Sequence, residues 1–322
     1  MMVRRISHRM CAALFAGVAL AQRSPAQVVQ PAPAAQAPQS VERSLTVDER
    51  ARTYHLHVPA KHRSPAPLVF VFHGGGGQGT GIESTSGFDA ISDREGFIVV
   101  YPDGIDRGWN DGRTDNPKQG ALRKNVDDIA FVRAMIADIE TVSPIDARRI
   151  FATGMSNGGI FSQYVAAKLS DKFAAIAPVA GGIADPFYKE FAPTSPVSVF
   201  AMNGTRDPLV PFAGGNVARI GRGKVIPVDE AMQLWVVRDG TKSEPKTGML
   251  PDTDPTDGCR VTWKKWSGGR DGTEVWLYAE EGAGHTWPGG PQNLPVARVG
   301  SVCRDFDASE AAWSFFKAHP KP

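Results

Sequence analysis

RRIFATGMSNGG, Arg148 to Gly159, decides the fold. An apolar run leads into Gly154-Met155-Ser156-Asn157-Gly158, and a stretch with helical character follows. Strand, Gly-x-Ser-x-Gly, helix is the order that sets a serine on a tight turn with its hydroxyl pushed into a cleft. Small residues at the flanking positions let strand and helix approach without clashing side chains. With 34 glycines in the chain the bare pattern arises easily by chance, so the weight falls on the flanking strand and helix.

A nucleophilic serine needs an imidazole to take its proton and a carboxylate to fix the imidazole's tautomer, and on such a turn these follow in the order acid, then histidine. Of the 7 histidines, only His285 and His319 lie beyond Ser156. His285, in GAGHTWPGG, comes just after the period-two run Thr273 to Ala279 and so sits on a loop leaving a strand. His319 stands next to the C-terminus on an expected helix, where a solvated or fraying side chain is the reading. His285 is therefore the candidate base, with a loop histidine bonded to backbone as the alternative.

The acid belongs after the strand between the serine and the histidine. Ser195 to Asn203 is apolar and β-branched enough to be that strand and runs into Gly204-Thr205-Arg206-Asp207-Pro208, which makes Asp207 the candidate. An ordinary turn aspartate is its alternative reading. Asp252, Asp254 and Asp257 lie in PDTDPTDG, which reads as a surface turn, and Asp185 comes too early. Asn203-Gly204-Thr205 fits a glycosylation sequon, but a glycan there would crowd the cleft, so the match is read as coincidence.

Acyl transfer also needs backbone N–H donors for the oxyanion. PLVFVFHGGGG, Pro67 to Gly77, supplies a buried strand and then a loop without side chains. The expected pair is the amide of Asn157 and one from Gly74 to Gly76, with Gly75 at the centre.

By this point the chain resembles an α/β-hydrolase, and more narrowly the secreted esterases grouped as polyhydroxybutyrate depolymerases and feruloyl esterases. The matching blocks are HGGGG (73–77), GFIVVYPDG (96–104), GWNDGR (108–113), NVDDIAFVRAMI (125–136), DARRIFATGMSNGG (146–159), NGTRDPLVPF (203–212), GHTWPGG (284–290) and DASEAAWSFF (307–316). The family's catalytic serine, aspartate and histidine fall on Ser156, Asp207 and His285, the residues reached from spacing. GWNDGR is similar to a family segment near the cleft mouth, which implies substrate contact by Trp109, Asn110, Asp111 and Arg113. A turn capped by Asn and Asp around a packed Trp is the alternative. Trp287 and Phe212 are further candidates for pocket walls or plain packing.

The start MMVRRISHRM with Arg4, Arg5 and Arg9, the apolar run Cys11 to Ala21 and an A-x-A ending read as a signal peptide over 1–26, cleaved after Ala21 or Ala26. The run is too short to span a bilayer, which takes about 20 apolar residues, so no stable membrane anchor is expected. Residues 27–40 are Pro, Ala and Gln with almost no charge and read as a disordered tether. One α/β-hydrolase catalytic domain is expected over 41–320, a mostly parallel central sheet with helices on both faces. Within it Val41 to Val58 reads as a strand pair and Val126 to Val142 as an amphipathic helix with Ile129, Val132, Ile136 and Ile139 on one face. Asp307 and Glu310 stand in capping-box positions at the head of the last helix.

Cys259 and Cys303 remain after the leader and flank His285. In an oxidising compartment they pair most simply with each other, two separate buried thiols being the alternative. A net charge of +2 with no cluster of basic and aromatic residues speaks against nucleic acid. No metal signature and no cofactor motif is called for, and a monomer acting on a small or oligomeric ester is the expectation. Gly74-x-Gly76-x-x-Gly79 formally matches a dinucleotide fingerprint, but an exported protein meets little NAD. Polymer depolymerase, serine peptidase and a non-catalytic glycan-binding hydrolase fold are the rival functions. The chain ends at Pro322 directly after the terminal helix, so the expectation is soluble or oligomeric esters rather than polymer granules.

Overall fold

In the computed structural model, which describes residues 40–218 and 221–322, the run beginning at Ala66 is an inner strand of a ten-stranded sheet. The strands in chain order are β1 (Val41–Val47), β2 (Arg50–His57), β3 (Ala66–Phe72), β4 (Ile98–Pro102), β5 (Ile145–Met155), β6 (Ala175–Val179), β7 (Ser198–Gly204), the short pair β8 (Gly215–Asn216) and β9 (Lys224–Val225), β10 (Lys246–Met249), β11 (Arg260–Trp266) and β12 (Val275–Glu281). The helices are α1 (Gly79–Ser86), α2 (Phe88–Glu95), α3 (Gly120–Arg123), α4 (Asp128–Val142), α5 (Asn157–Lys168), α6 (Asp185–Tyr188), α7 (Val228–Asp239), α8 (Val296–Val299) and α9 (Ala308–Ala318).

The large sheet runs β1-β2-β4-β3-β5-β6-β7-β12-β11-β10. Its inner strands from β4 to β12 pair in parallel, and antiparallel pairs close each edge. The apolar run of β3 is explained by burial on both faces. Leu68, Phe70 and Phe72 join one core cluster with Phe131 of α4, Phe161 of α5 and Trp235 of α7. Val69 and Val71 point to the other, with Phe88 of α2 and Trp313 and Phe316 of α9. The described residues form one domain of the α/β-hydrolase fold.

Two expectations shift in detail, and one strand had no expectation. The buried face of α4 is Phe131, Val132, Met135 and Ile139, with Ile129 and Ile136 only half-buried. The helix turns its aromatic and methionine side chains inward because they fill more of the sheet's surface. At the head of α9 Asp307 caps the amides of Ser309 and Glu310, while Glu310 pairs with Arg94 at 2.7 Å instead of folding back. The stretch before Cys259 includes β10, an edge strand whose exposed lysine and methionine carry no apolar alternation. The leader and most of the tether lie outside the described residues; Ser40, the tether's last residue, bonds Glu83 of α1.

Candidate active site

Ser156 is the single residue between β5 and α5, with φ 59° and ψ −119°. Non-glycine residues hold such a conformation only where their surroundings enforce it. Here the Ser156 amide donates to Val179 O on β6 at 3.0 Å, and the Ser156 carbonyl accepts from Ile160 N at 2.9 Å. A Cβ at Gly154 would stand 2.6 Å from Phe72 O, and one at Gly158 would be 2.6 Å from His73 O, so both flanking positions admit glycine alone. The tight crossing of α5 over β3 follows from those two residues.

Asp207 lies in the turn after β7. Its Oδ1 accepts from the amides of Leu209 at 2.7 Å and Val210 at 2.8 Å, which fixes the carboxylate and leaves Oδ2 aimed at His285 Nδ1, 2.7 Å away. His285 stands on the loop after β12, the parallel neighbour of β7. That loop is stitched to 299–303 by His285 N to Val299 O, Gly284 N to Ser301 O and Gly289 N to Cys303 O. Cys303 is bonded to Cys259, so the expected disulfide is present and anchors the segment on which His285 rests. Ser156, His285, Asn157, Gly74 and Gly75 share the wall of one cavity of about 960 Å³. Asp207 and His285 are thus in contact, and Ser156, 129 residues before His285 by number (285 − 156), lines the same cavity as His285.

The glycine loop narrows the choice of amides. Gly76 N donates to Arg107 O at 2.7 Å and Gly77 N to Gly74 O at 2.9 Å. Among the described residues the amides of Gly74, Gly75 and Asn157 meet no protein acceptor, and a Cβ on Gly75 would lie 3.7 Å from that of Asn157.

The profile of the family described as dienelactone hydrolase matches residues 53–220, about half the chain, including Ser156 and Asp207. NocK of Nocardia uniformis subsp. tsuyamanensis, a protein named as an esterase, is 31% identical over 287 residues, covering 85% of this chain and 81% of that protein. The chain belongs to the dienelactone hydrolase family. Feruloyl esterase B of Piromyces equi is 28% identical over 68% of the chain, which spans only 39% of that enzyme's length. The acetyl xylan esterase of Aspergillus awamori shares the fold with a TM-score of 0.53 at 19% identity, covering 76% of this chain and 94% of that one. This dienelactone hydrolase family member is an enzyme of the carboxylic-ester hydrolase class.

In this family member the GWNDGR segment does something other than the expected substrate contact. Trp109 and Asp111 are fully buried. The Trp109 ring stacks on Phe161 at 5.0 Å and its Nε1 donates to His73 O at 2.9 Å. Asp111 Oδ2 accepts from Asn157 Nδ2 at 2.6 Å and from Arg113 Nε and Nη2 at 2.9 and 2.6 Å. With Arg113 N donating to Oδ1 at 3.2 Å as well, the expectation is corrected for both: a ring with no exposed area and a buried carboxylate filled by four donors have nothing left for a ligand. Asn110 is likewise engaged, its amide donating to Asp128 and its side chain to Val126 O. Arg113 reaches the cavity wall, though tied to Asp111.

Sequence reading overlooked Gln119 and the role of His73. Asn157 Oδ1 accepts from Trp109 N at 2.9 Å and Gln119 Nε2 at 2.8 Å, so its side chain is held from four sides. His73 Nδ1 donates to Gly74 O at 2.7 Å and Nε2 accepts from Gly104 N at 3.0 Å. That pattern needs the neutral ring, and burial lowers its pKa in agreement. A histidine beside a four-glycine run was the available signal. Trp287 is buried with Nε1 donating to Ser309 Oγ at 3.1 Å, yet lines a smaller cavity of about 270 Å³ next to His285. Phe212 packs on the core and lines neither cavity. Behind Asp207, Glu280 is buried; burial first, then the charge of Asp207, pushes its carboxyl well above the usual range. Asn203 of the sequon is buried and donates to Gly181 O at 3.0 Å. No helix among the described residues is long and apolar enough to cross a membrane.

Proposed function

We propose that the chain is an exported serine esterase that cleaves carboxylic esters by two-step acyl transfer through Ser156, His285 and Asp207. The observation that carries this reading is the 2.7 Å contact from His285 Nδ1 to Asp207 Oδ2 on the cavity wall that Ser156 shares. With Nδ1–H donating to the carboxylate, Nε2 is left unprotonated, the state a base must have to accept the serine proton. His285 takes that proton as Ser156 Oγ attacks the ester carbonyl, and the amides of Gly75 and Asn157 receive the developing oxyanion. The imidazolium then protonates the departing alcohol, and water repeats the cycle on the acyl-enzyme. Asp207 holds the ring in place and stabilises its charged form without taking the proton.

Aryl and short acyl esters, among them feruloyl or acetyl esters and hydroxyalkanoate oligomers, are the substrates this reading favours, supported by the esterase and feruloyl esterase names of its relatives. Export is supported by the Arg-rich leader and by the disulfide; sequencing of the secreted protein should begin at Gln22 or Gln27. The enzyme acts as a monomer in this reading, which a single chain-sized peak in light scattering checks. The test of mechanism is a panel of para-nitrophenyl acyl esters, methyl ferulate and hydroxybutyrate oligomers run with wild type and Ser156→Ala. Turnover should fall by about 10⁴-fold or more at unchanged melting temperature. Equal turnover by the two proteins rejects the assignment.

A further inference from the structure

Two cavities meet at the same residues. The smaller and the larger share Gly74, Gly75, Met155, His285 and Leu294, so they are two arms of one cleft, and Ser156 lines the larger arm next to the shared Met155 and Gly74. Their chemistry differs. The smaller arm, about 270 Å³, is walled by Ile82, Trp287, Pro291 and Val299 together with uncharged polar groups, and no Asp, Glu, Lys or Arg lines it. The larger, about 960 Å³, is lined by Arg113, Lys118, Arg222 and Arg298 and by no carboxylate.

Those four cations come from separate stretches. Arg113 and Lys118 lie on either side of the turn before α3, Arg222 on the loop between β8 and β9, and Arg298 on α8. Arg113 is neutralised by Asp111, but it donates through Nη1 to Arg222 O at 3.0 Å and so fixes the Arg222 segment against the cavity. Lys118 adjoins the same segment: a Cβ on Gly221 would lie 3.5 Å from Lys118 Cε. Lys118, Arg222 and Arg298 are exposed and make no ion pair among the described residues. A chain with a net charge of only +2 and ion pairs over much of its surface has no compositional reason to gather unpaired cations around one cavity. Like charges so gathered repel one another and raise the local concentration of anions.

We infer that the preferred substrate is a two-ended ester, an uncharged apolar group in the smaller arm and a carboxylate in the larger, with the scissile bond between them over Ser156. The inference rests on the proposed serine esterase mechanism and names the substrate class for it. A linear ester oligomer fits this description, because hydrolysis of an ester leaves a carboxylate at the end of the acyl fragment. Arg222 and Arg298 then act as specificity residues: their guanidinium forks match a carboxylate, and they sit too exposed to act on the reacting atoms.

The experiment compares esters that differ only by a carboxylate. On the acyl side the pair is para-nitrophenyl hemiglutarate and para-nitrophenyl pentanoate; on the alcohol side it is 4-carboxyphenyl butanoate and phenyl butanoate. In one of the two pairs the charged ester should show a KM about tenfold lower, since several exposed pairs contribute a few-fold each. That preference should shrink toward one in 1 M NaCl, where the screening length is about 3 Å. Arg222→Gln with Arg298→Gln should lower the ratio of charged to neutral kcat/KM by about fivefold or more. A ratio of one or less in both pairs, or a preference that survives both the salt and the double substitution, overturns the inference. Binding of the same esters to Ser156→Ala by calorimetry separates this from the mechanism: absence of turnover in the wild type rejects the serine esterase reading, while the dissociation constants still decide the charge preference.

Discussion

A carboxylate beside an imidazole is common, and what marks Asp207 is how little freedom it has. Two backbone amides of its own turn take Oδ1, so Oδ2 is the oxygen left for His285. Asp239 shows the opposite case. It sits at the end of α7 with one oxygen accepting from Val197 N at 3.1 Å and the other without a partner, and burial pushes its pKa up to about 7. A carboxyl raised above its unfolded value stabilises most when both states are protonated, below about pH 4. That contribution declines by about 1.4 kcal/mol per pH unit as pH climbs toward 7 and is gone above it. Asp239→Asn keeps the acceptor for Val197 and removes the titration. Its melting temperature should therefore exceed that of wild type by several degrees at pH 8 and differ little at pH 4.5; an equal difference at both values refutes the assignment to Asp239. The catalytic candidates were legible in the sequence because each is tied to a strand end by a short motif. Trp109 and Asp111 were not, since a tryptophan in a polar turn is spelled alike whether it faces a ligand or the core.

Between elements, the loops that carry the catalytic candidates rest on two braces. One joins α5 to the glycine loop: Asn157, Asp111, Trp109 and His73 form a continuous chain of hydrogen bonds from the helix start to Gly74. Asp111→Ala leaves the buried guanidinium of Arg113 and the amide of Asn157 without their acceptor, a change of about 3–5 kcal/mol in stability. Calorimetric unfolding should show that loss, and kcat should drop by roughly tenfold or more as the amide of Asn157 loses its position; wild-type stability in the variant contradicts the brace. The other is the Cys259–Cys303 bond, which closes a span of 44 residues around the histidine loop. A loop of that length adds about 4 kcal/mol in the chain-entropy picture. Cys259→Ser should unfold at markedly lower denaturant, and alkylation of the native protein without reductant should label neither cysteine. Labelling of both removes this brace. The parallel core strands were legible as apolar runs flanked by turns, while β10 was not: an exposed edge strand lacks the burial that writes alternation into sequence.

At the scale of the whole molecule, the sheet order brings the glycine loop after β3, the serine after β5, the aspartate after β7 and the histidine after β12 to one rim. Parallel strands make this automatic, because every inner strand ends on the same side. Family membership and fold were therefore readable from motif order. The uneven charge of the cleft was not: Lys118, Arg222 and Arg298 lie in three stretches with no shared motif, and only folding gathers them. A serine activated at that rim should react with a phosphonofluoridate as it does with an ester. Peptide mapping by mass spectrometry of the labelled protein is the most direct test: one adduct on the peptide carrying Ser156, absent in Ser156→Ala and strongly slowed in His285→Ala. Full esterase activity in a protein with Ser156 unlabelled, or an adduct on another residue that tracks the loss of activity, contradicts it.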